Sequence, residues 1–199
     1  MMRTPAALIP YVLMAAAIAA GLLWHAGDQT GRLGASVSTG TAEIGGAFAL
    51  TDQDGKPRSA ADFRGRFMLI YFGYSDCPDV CPTTLALMSA ALAKLGTRAD
   101  RIAPVFITID PARDRPPVLK TYLKSFGANF VGLTGTDRQI ESAAHAWHVY
   151  FARHPMAGGN YAMDHSSVIY LMGPDGRFVT YYEDEIGPDK LAADLEARL

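Results

Sequence analysis

The 199-residue chain sets 18 lysines and arginines against 20 aspartates and glutamates, a formal charge of −2 at neutral pH. That balance gives no electrostatic reason to expect nucleic acid as a partner. The length suits one domain of about 150 residues plus a leader, and a hydrophobic share of 49% is ordinary for a globular protein.

From Pro5 to Trp24 no residue is charged. Such a run rises about 30 Å as a helix, enough to cross a bilayer core. Arg3 precedes it, Trp24 closes it as an interfacial aromatic would, and Asp28 is the first charge beyond. This predicts one transmembrane helix with a cytoplasmic N-terminus and an exported remainder. A cleaved signal peptide is the competing reading, but its apolar core usually spans about 7–15 residues, with small residues after it rather than within it. There is no cysteine near the run to carry a lipid and no Arg/Ser-rich amphipathic presequence, which points to a bacterial envelope rather than an organelle. The expected organisation is an anchor over 1–25, a flexible Gly/Ser/Thr/Ala-rich linker over 26–45 and a folded head over 46–199.

In the head, Phe48–Asp52, the Gln53-Asp54-Gly55 turn and Lys56–Ser59 read as a β-hairpin. Phe67–Phe72 is a continuous apolar run, a strand buried on both faces. Leu85, Met88, Leu92 and Leu95 recur at helical spacing and predict a helix over Thr83–Leu95. Ile102–Ile109 reads as a second buried strand. Pro117–Phe126 and Ile140–Trp147 read as helices, and Val149–Phe151 as a short strand. Ser167–Met172 and Phe178–Tyr182 form a hairpin about Pro174-Asp175-Gly176, and Leu191–Leu199 closes the chain as a helix. Alternating strands and helices predict an α/β domain with a parallel sheet, to which the late hairpin adds antiparallel strands.

The only cysteines, Cys77 and Cys81, lie between the first buried strand and its helix, a thioredoxin-like layout. They are a redox pair, a metal clamp or both. A bridge between them closes about five residues and stabilises by roughly 2 kcal/mol, little for a chain able to bury a full core. Pro82 fits the first helical position, which predicts Cys81 at the N-cap. Both thiols then sit near free N–H groups at the positive end of a helix dipole, which favours thiolate. Asp79 opposes that shift modestly.

The segments Gly73-Tyr-Ser-Asp-Cys77-Pro-Asp-Val-Cys81-Pro82, Asp110-Pro-Ala-Arg-Asp114 and Tyr161-Ala-Met-Asp-His165-Ser166 resemble the Sco/SenC family. Its members are membrane-anchored, thioredoxin-like copper proteins that assist assembly of the CuA centre of cytochrome c oxidase. The resemblance runs from about Phe48 to Leu199 and includes the anchor. It implies Cys77, Cys81 and His165 as copper ligands, with Asp110 nearby as a tuning group that does not ligate. Ser75-Asp76 departs from the Thr-His that many members carry there, which bears on the local electrostatics. Two thiolates and an imidazole suit Cu(I) and also hold Cu(II), whereas structural zinc usually takes a fourth protein ligand. The implied partners are the CuA-bearing oxidase subunit, a copper donor protein and, through the anchor, the membrane. The implied location is the bacterial inner membrane, single-pass, with the head in the periplasm.

Other candidates are weaker. His145 and His148 read as a helix face, His154 as a loop residue and His25 as a residue at the membrane edge. Met88, Met156, Met163 and Met172 read as core fillers, with Met163 the one methionine close enough to His165 to act as a weak ligand. Arg113 and Asp114 read as Asp–Arg loop pairing. The leading expectation is a copper-binding assembly factor rather than a turnover enzyme. A thiol–disulfide oxidoreductase that keeps the oxidase CuA cysteines reduced, with Cys77 and Cys81 as its redox pair, uses the same sulfurs without needing His165. A copper or redox sensor uses them as well. A peroxiredoxin is disfavoured: its Pro-x-x-x-Thr/Ser-x-x-Cys pattern meets Ile70 and Tyr74 before Cys77, and Tyr74 and Pro78 before Cys81.

Overall fold

A computed structural model of the protein describes residues 44–127 and 129–199. The expected anchor and all of the expected linker before Ile44 lie outside the described residues. Nine strands and four α-helices are described. The strands are β1 (Ala49–Asp52), β2 (Pro57–Ser59), β3 (Phe67–Gly73), β4 (Ile102–Thr108), β5 (Val131–Thr134), β6 (Phe151–Pro155), β7 (Tyr161–His165), β8 (Val168–Met172) and β9 (Phe178–Glu183). The helices are α1 (Val80–Leu95), α2 (Pro116–Lys124), α3 (Asp137–Ala146) and α4 (Pro188–Arg198).

Seven strands make one sheet in the order β2-β1-β5-β4-β3-β8-β9. β3, β4 and β5 run parallel, with Phe67 opposite Ile102 and Val105 opposite Val131. β8 lies antiparallel on the other side of β3, and β9 antiparallel beyond it. Every residue of β3 and β4 is buried, as the unbroken apolar runs require of strands covered on both faces. Aromatic contacts mark the two layers. Tyr71, Phe106 and Tyr122 pack on the face that carries α1 and α2, while Phe48 and Phe72 pack with Trp147, and Tyr170 with Phe72, on the face under α3. α4 packs against α1.

The expected hairpins and helices are present, with shifted ends. α3 begins earlier than its apolar residues because Thr136 and Gln139 form a capping box. α4 begins at Pro188, a residue suited to the first helical turn.

Two features leave no clear pattern in the sequence. β5 carries a glycine mid-strand, and a side chain at Gly132 would collide with Leu123 of α2. Close helix packing thus demands the residue that hides the strand. β6 and β7 form a separate antiparallel hairpin, Phe151 opposite His165 and Pro155 opposite Tyr161. Apart from Met163 its residues are half-buried or exposed, so it carries no apolar alternation. The short strand expected at Val149–Phe151 is the start of this ribbon.

Candidate metal centre

Three connections converge beyond the C-terminal end of β3, where a parallel neighbour lies on one side and an antiparallel one on the other. The turn into α1 carries the cysteines, the loop from β4 to α2 carries Asp110–Asp114, and the β6–β7 hairpin carries His165.

The N-cap of α1 is Asp79, not Cys81. Cys81 is the second helical residue and Pro82 the third. A proline is tolerated there because the first-turn N–H groups have no intrahelical acceptor, so its missing donor costs nothing. The consequence is chemical. Cys81 lies within the helix and is fully buried, and its backbone N–H donates to Cys77 Sγ at 3.4 Å. Cys77 is half-buried in the turn, its own N–H bonded to the Tyr74 carbonyl at 3.3 Å. Gly73 makes room for this arrangement, since a Cβ there would lie 2.9 Å from Cys81 Sγ and 3.0 Å from both Phe106 and Tyr71.

His165 ends β7 rather than opening the next strand, which begins at Val168. Its Nδ1 lies 3.0 Å from the Ser166 carbonyl oxygen. A carbonyl only accepts, so Nδ1 carries the proton and Nε2 presents its lone pair to the cysteines. Nε2 is 3.4 Å from Cys81 Sγ. Tyr71 and Tyr74 meet the imidazole edge-on, each with a centroid separation of 6.0 Å.

The two thiols are unequal. The Cys81 thiol and the N–H groups of Cys81 and Asp79 hydrogen-bond the Cys77 sulfur and hold its pKa well below the ordinary thiol range, against the opposing effect of burial. Cys81 moves the other way, because it shares its proton with Cys77 and is buried. The pair therefore holds one proton between two sulfurs at neutral pH. Burial also keeps the Tyr71 phenol protonated, so its hydroxyl donates to Cys81 Sγ at 3.9 Å.

The surroundings correct two expectations. Asp114 does not pair with Arg113. It is fully buried and accepts from the Ser75 hydroxyl, the Ser75 N–H (3.0 Å) and the Thr108 hydroxyl (2.6 Å), which ties the cysteine turn to β4. Arg113 pairs instead with Asp110 and with Asp76, the latter at 2.7 Å. Ser75 and Asp76 thus supply two bonds from the cysteine turn to the β4–α2 loop. Met156 is 58% exposed and fills no core. Met88 and Met172 are buried as expected, and Met163 is buried beside Ile109, Ile140 and Phe151.

The remaining described histidines lie outside the cluster. His145 and His148 are exposed. His148 has φ 54°, and the Val149 N–H closes on the Ala144 carbonyl at 2.9 Å, a left-handed helix cap where glycine is usual. His154 faces Asp164 across the hairpin, with Nε2 2.8 Å from Oδ2. Among the described residues only Cys77, Cys81 and His165 form a metal-competent group, their ligand atoms all within 4.8 Å of one another.

The SCO1/SenC family model matches residues 36–199. The chain belongs to this family. It is 37% identical over 165 residues to the mitochondrial SCO1 homolog of Mus musculus, 81% of this chain and 58% of that one. It is 41% identical over 153 residues to an SCO2-like protein of Rickettsia felis, 75% of this chain and 74% of that one. The match thus spans little more than half of the mouse protein's length. The structure of Bradyrhizobium japonicum ScoI, solved with copper bound, superposes with a TM-score of 0.74 at 44% identity, covering 78% of this chain and 99% of that one. The fold is the α/β, thioredoxin-like fold of the Sco proteins.

The donors fit a copper ion on their own chemistry. Metal–nitrogen and metal–sulfur distances of about 2.0–2.3 Å place donors roughly 3.5–4 Å apart. Three atoms within 4.8 Å reach that spacing with small side-chain adjustments. Two soft thiolates and one imidazole are the set that favours copper over hard cations.

Proposed function

We propose that this protein takes copper as cargo on Cys77, Cys81 and His165 and delivers it to the CuA-bearing subunit of cytochrome c oxidase. The observation that carries this reading is the convergence of three soft donors within 4.8 Å in a chain of the Sco family. The two sulfurs hold Cu(I), and the imidazole supports Cu(II) as well. The proton shared by the cysteines leaves when copper binds, and His165 already presents its free nitrogen through the Ser166 bond. Transfer then proceeds by ligand exchange, as an incoming thiolate of the acceptor replaces one donor at a time.

The N-terminal 25 residues serve as a single-pass anchor in a bacterial inner membrane, residues 26–45 as a tether and residues 46–199 as a periplasmic head. A copper donor protein loads the head there. An impermeant maleimide should label Cys77 once the outer barrier is opened; labelling only after inner-membrane lysis would overturn this topology.

The test of the function is copper stoichiometry. The reduced full-length chain in detergent should bind about one copper, with sulfur-to-metal charge-transfer bands on adding Cu(II). Equal copper retention after oxidation to a Cys77–Cys81 disulfide would overturn the ligand set.

One observation favours a second activity. A half-buried, low-pKa Cys77 beside a buried, protonated Cys81 is an attacking and resolving pair. Cys77 thiolate attacks a partner disulfide to form a mixed disulfide. Cys81 then releases the partner's thiol and closes the Cys77–Cys81 bond, so two electrons reduce the partner. In His165→Ala this exchange should persist while copper delivery fails. Normal oxidase activity in cells carrying His165→Ala, but none with Cys77→Ser, would put thiol reduction first.

A further inference from the structure

The cysteines are placed by a buried strand and helix, but His165 is carried by a hairpin that buries almost nothing. In β6 and β7 only Met163 is buried. The other ties on the ribbon lead to one side chain and its partner. Arg113 Nη1 donates to the Tyr161 carbonyl oxygen at 3.1 Å and to Asn160 Oδ1 at 3.4 Å, both at the turn end of the ribbon. Its guanidinium stacks on the Tyr161 ring, 3.9 Å from the centroid, with Arg153 on the same ring at 4.2 Å. The Tyr161 hydroxyl donates to Asp110 at 2.8 Å, and Asp110 is the fully buried carboxylate that accepts from Arg113 Nε. Arg113 Nη1 also reaches Asp76, one residue before Cys77. The guanidinium lies 5.6 Å from the Tyr74 ring centre, and Tyr74 packs edge-on against His165.

We infer that Arg113 is a positioning residue that closes the β6–β7 hairpin onto the cysteine turn and so holds His165 Nε2 against the two sulfurs. This rests on the copper reading given above. The argument is one of shape. Ser75–Asp114 and Tyr161–Asp110 join these segments in pairs, but a single planar fork joins all three: the cysteine turn through Asp76, the β4–α2 loop through Asp110, and the hairpin through Asn160 and Tyr161. A lysine ammonium has the charge but not the flat face or the divergent donors, and cannot serve the three segments together. Arg113 touches no ligand atom, so it acts through the placement of His165 alone.

The test uses the full-length chain in detergent, with Arg113→Lys as the main variant and Asp76→Asn as a milder one. Asp76 is 60% exposed, so its variant keeps the fold. Two readouts are needed. In the copper-free protein, hydrogen exchange should rise roughly tenfold or more for amides of 151–165 in Arg113→Lys, while β3 and β4 amides stay unchanged. In the loaded protein, copper should leave roughly 10–100-fold faster, in the range seen when a supporting partner of a ligand is lost. The Cu(II) charge-transfer band should shift, and the alkylation rate of Cys77 should stay within about twofold. Asp76→Asn should move both readouts in the same direction by less.

Exchange that rises equally in the hairpin and in β3 would make Arg113 a general stability residue and overturn the inference. Wild-type exchange and copper release in Arg113→Lys would overturn it as well. If the wild-type chain takes up no copper, the functional reading fails whatever Arg113 does. If wild-type binds copper and Arg113→Lys matches it, only the positioning role fails.

Discussion

The two sides of the metal centre are built on different principles. The sulfur side grows from the core: Cys81 is fully buried on α1, and the turn before it is pinned by the buried Asp114 to Ser75 and Thr108. The imidazole side stands on an exposed ribbon held by Met163, Arg113 and Asp110. Sulfur placement is therefore as stable as the fold, while histidine placement opens at lower cost. Under the copper delivery proposed above, the exposed ribbon carries the donor whose placement opens at lower cost.

The largest expected effect comes from the sulfur side. Gly73→Val forces a branched side chain into space shared by Cys81 Sγ, Phe106 and Tyr71. Overpacking of this kind costs about 1–3 kcal/mol. A denaturant titration should show that loss, and copper binding should fall with it. Unchanged stability and copper affinity would mean that the sulfur side is as pliable as the ribbon, and the contrast would break.

Next in size is the proton balance. Cys77 is shifted down and Cys81 up, so at neutral pH the pair carries one proton that copper must displace. Cu(I) affinity should then rise about tenfold per pH unit between about pH 7 and pH 9, one proton leaving the sulfur pair for each copper bound. Below the depressed Cys77 pKa a second proton competes, and the fall steepens. Competition with a Cu(I) chelator measures the slope. A slope near zero would mean that both sulfurs reach copper already as thiolates, removing the inequality attributed to the buried helix position.

Legibility in the sequence follows the same division. β3, β4 and β8 were readable because burial on both faces leaves continuous apolar runs, and the cysteine pair was readable because it follows the first of these. The ribbon was not, because exposed strands keep no pattern, and His165 stood out only through the Asp-His-Ser resemblance. Pro82 misled in a specific way: it marks the first turn of a helix, not the first residue, and the error put Cys81 outside the helix that buries it. Asp114 was misassigned because its partner Ser75 is 39 residues away, and no local spacing announces such a bond.

A smaller effect should follow from Tyr161→Phe. The ring and its stacking on Arg113 remain, but Asp110 loses one donor, which costs about 1–2 kcal/mol for a charged acceptor in a buried place. Because the lost bond joins the ribbon to the core, hydrogen exchange should rise in β6 and β7 before it rises in β3. Uniform exchange across the molecule would show the ribbon and the core to be one cooperative unit.

The smallest expected effect tests whether the ribbon contributes any ligand besides His165. His154 sits across from Asp164, 2.8 Å away, with both side chains more than half exposed. A surface pair of this kind contributes between about 0 and 1 kcal/mol, so His154→Ala should leave unfolding nearly unchanged. Its imidazole is engaged by a carboxylate and belongs to no metal-competent group among the described residues. The Cu(II) spectrum of the variant should therefore match wild type, whereas His165→Ala loses most of its Cu(II) binding and keeps weaker Cu(I) on two sulfurs. A changed Cu(II) signal in His154→Ala would mean that copper draws the ribbon into a different register or recruits a second imidazole. His165 would then no longer be the ribbon's sole donor, and the division between a fixed sulfur side and a one-ligand movable side would have to be redrawn.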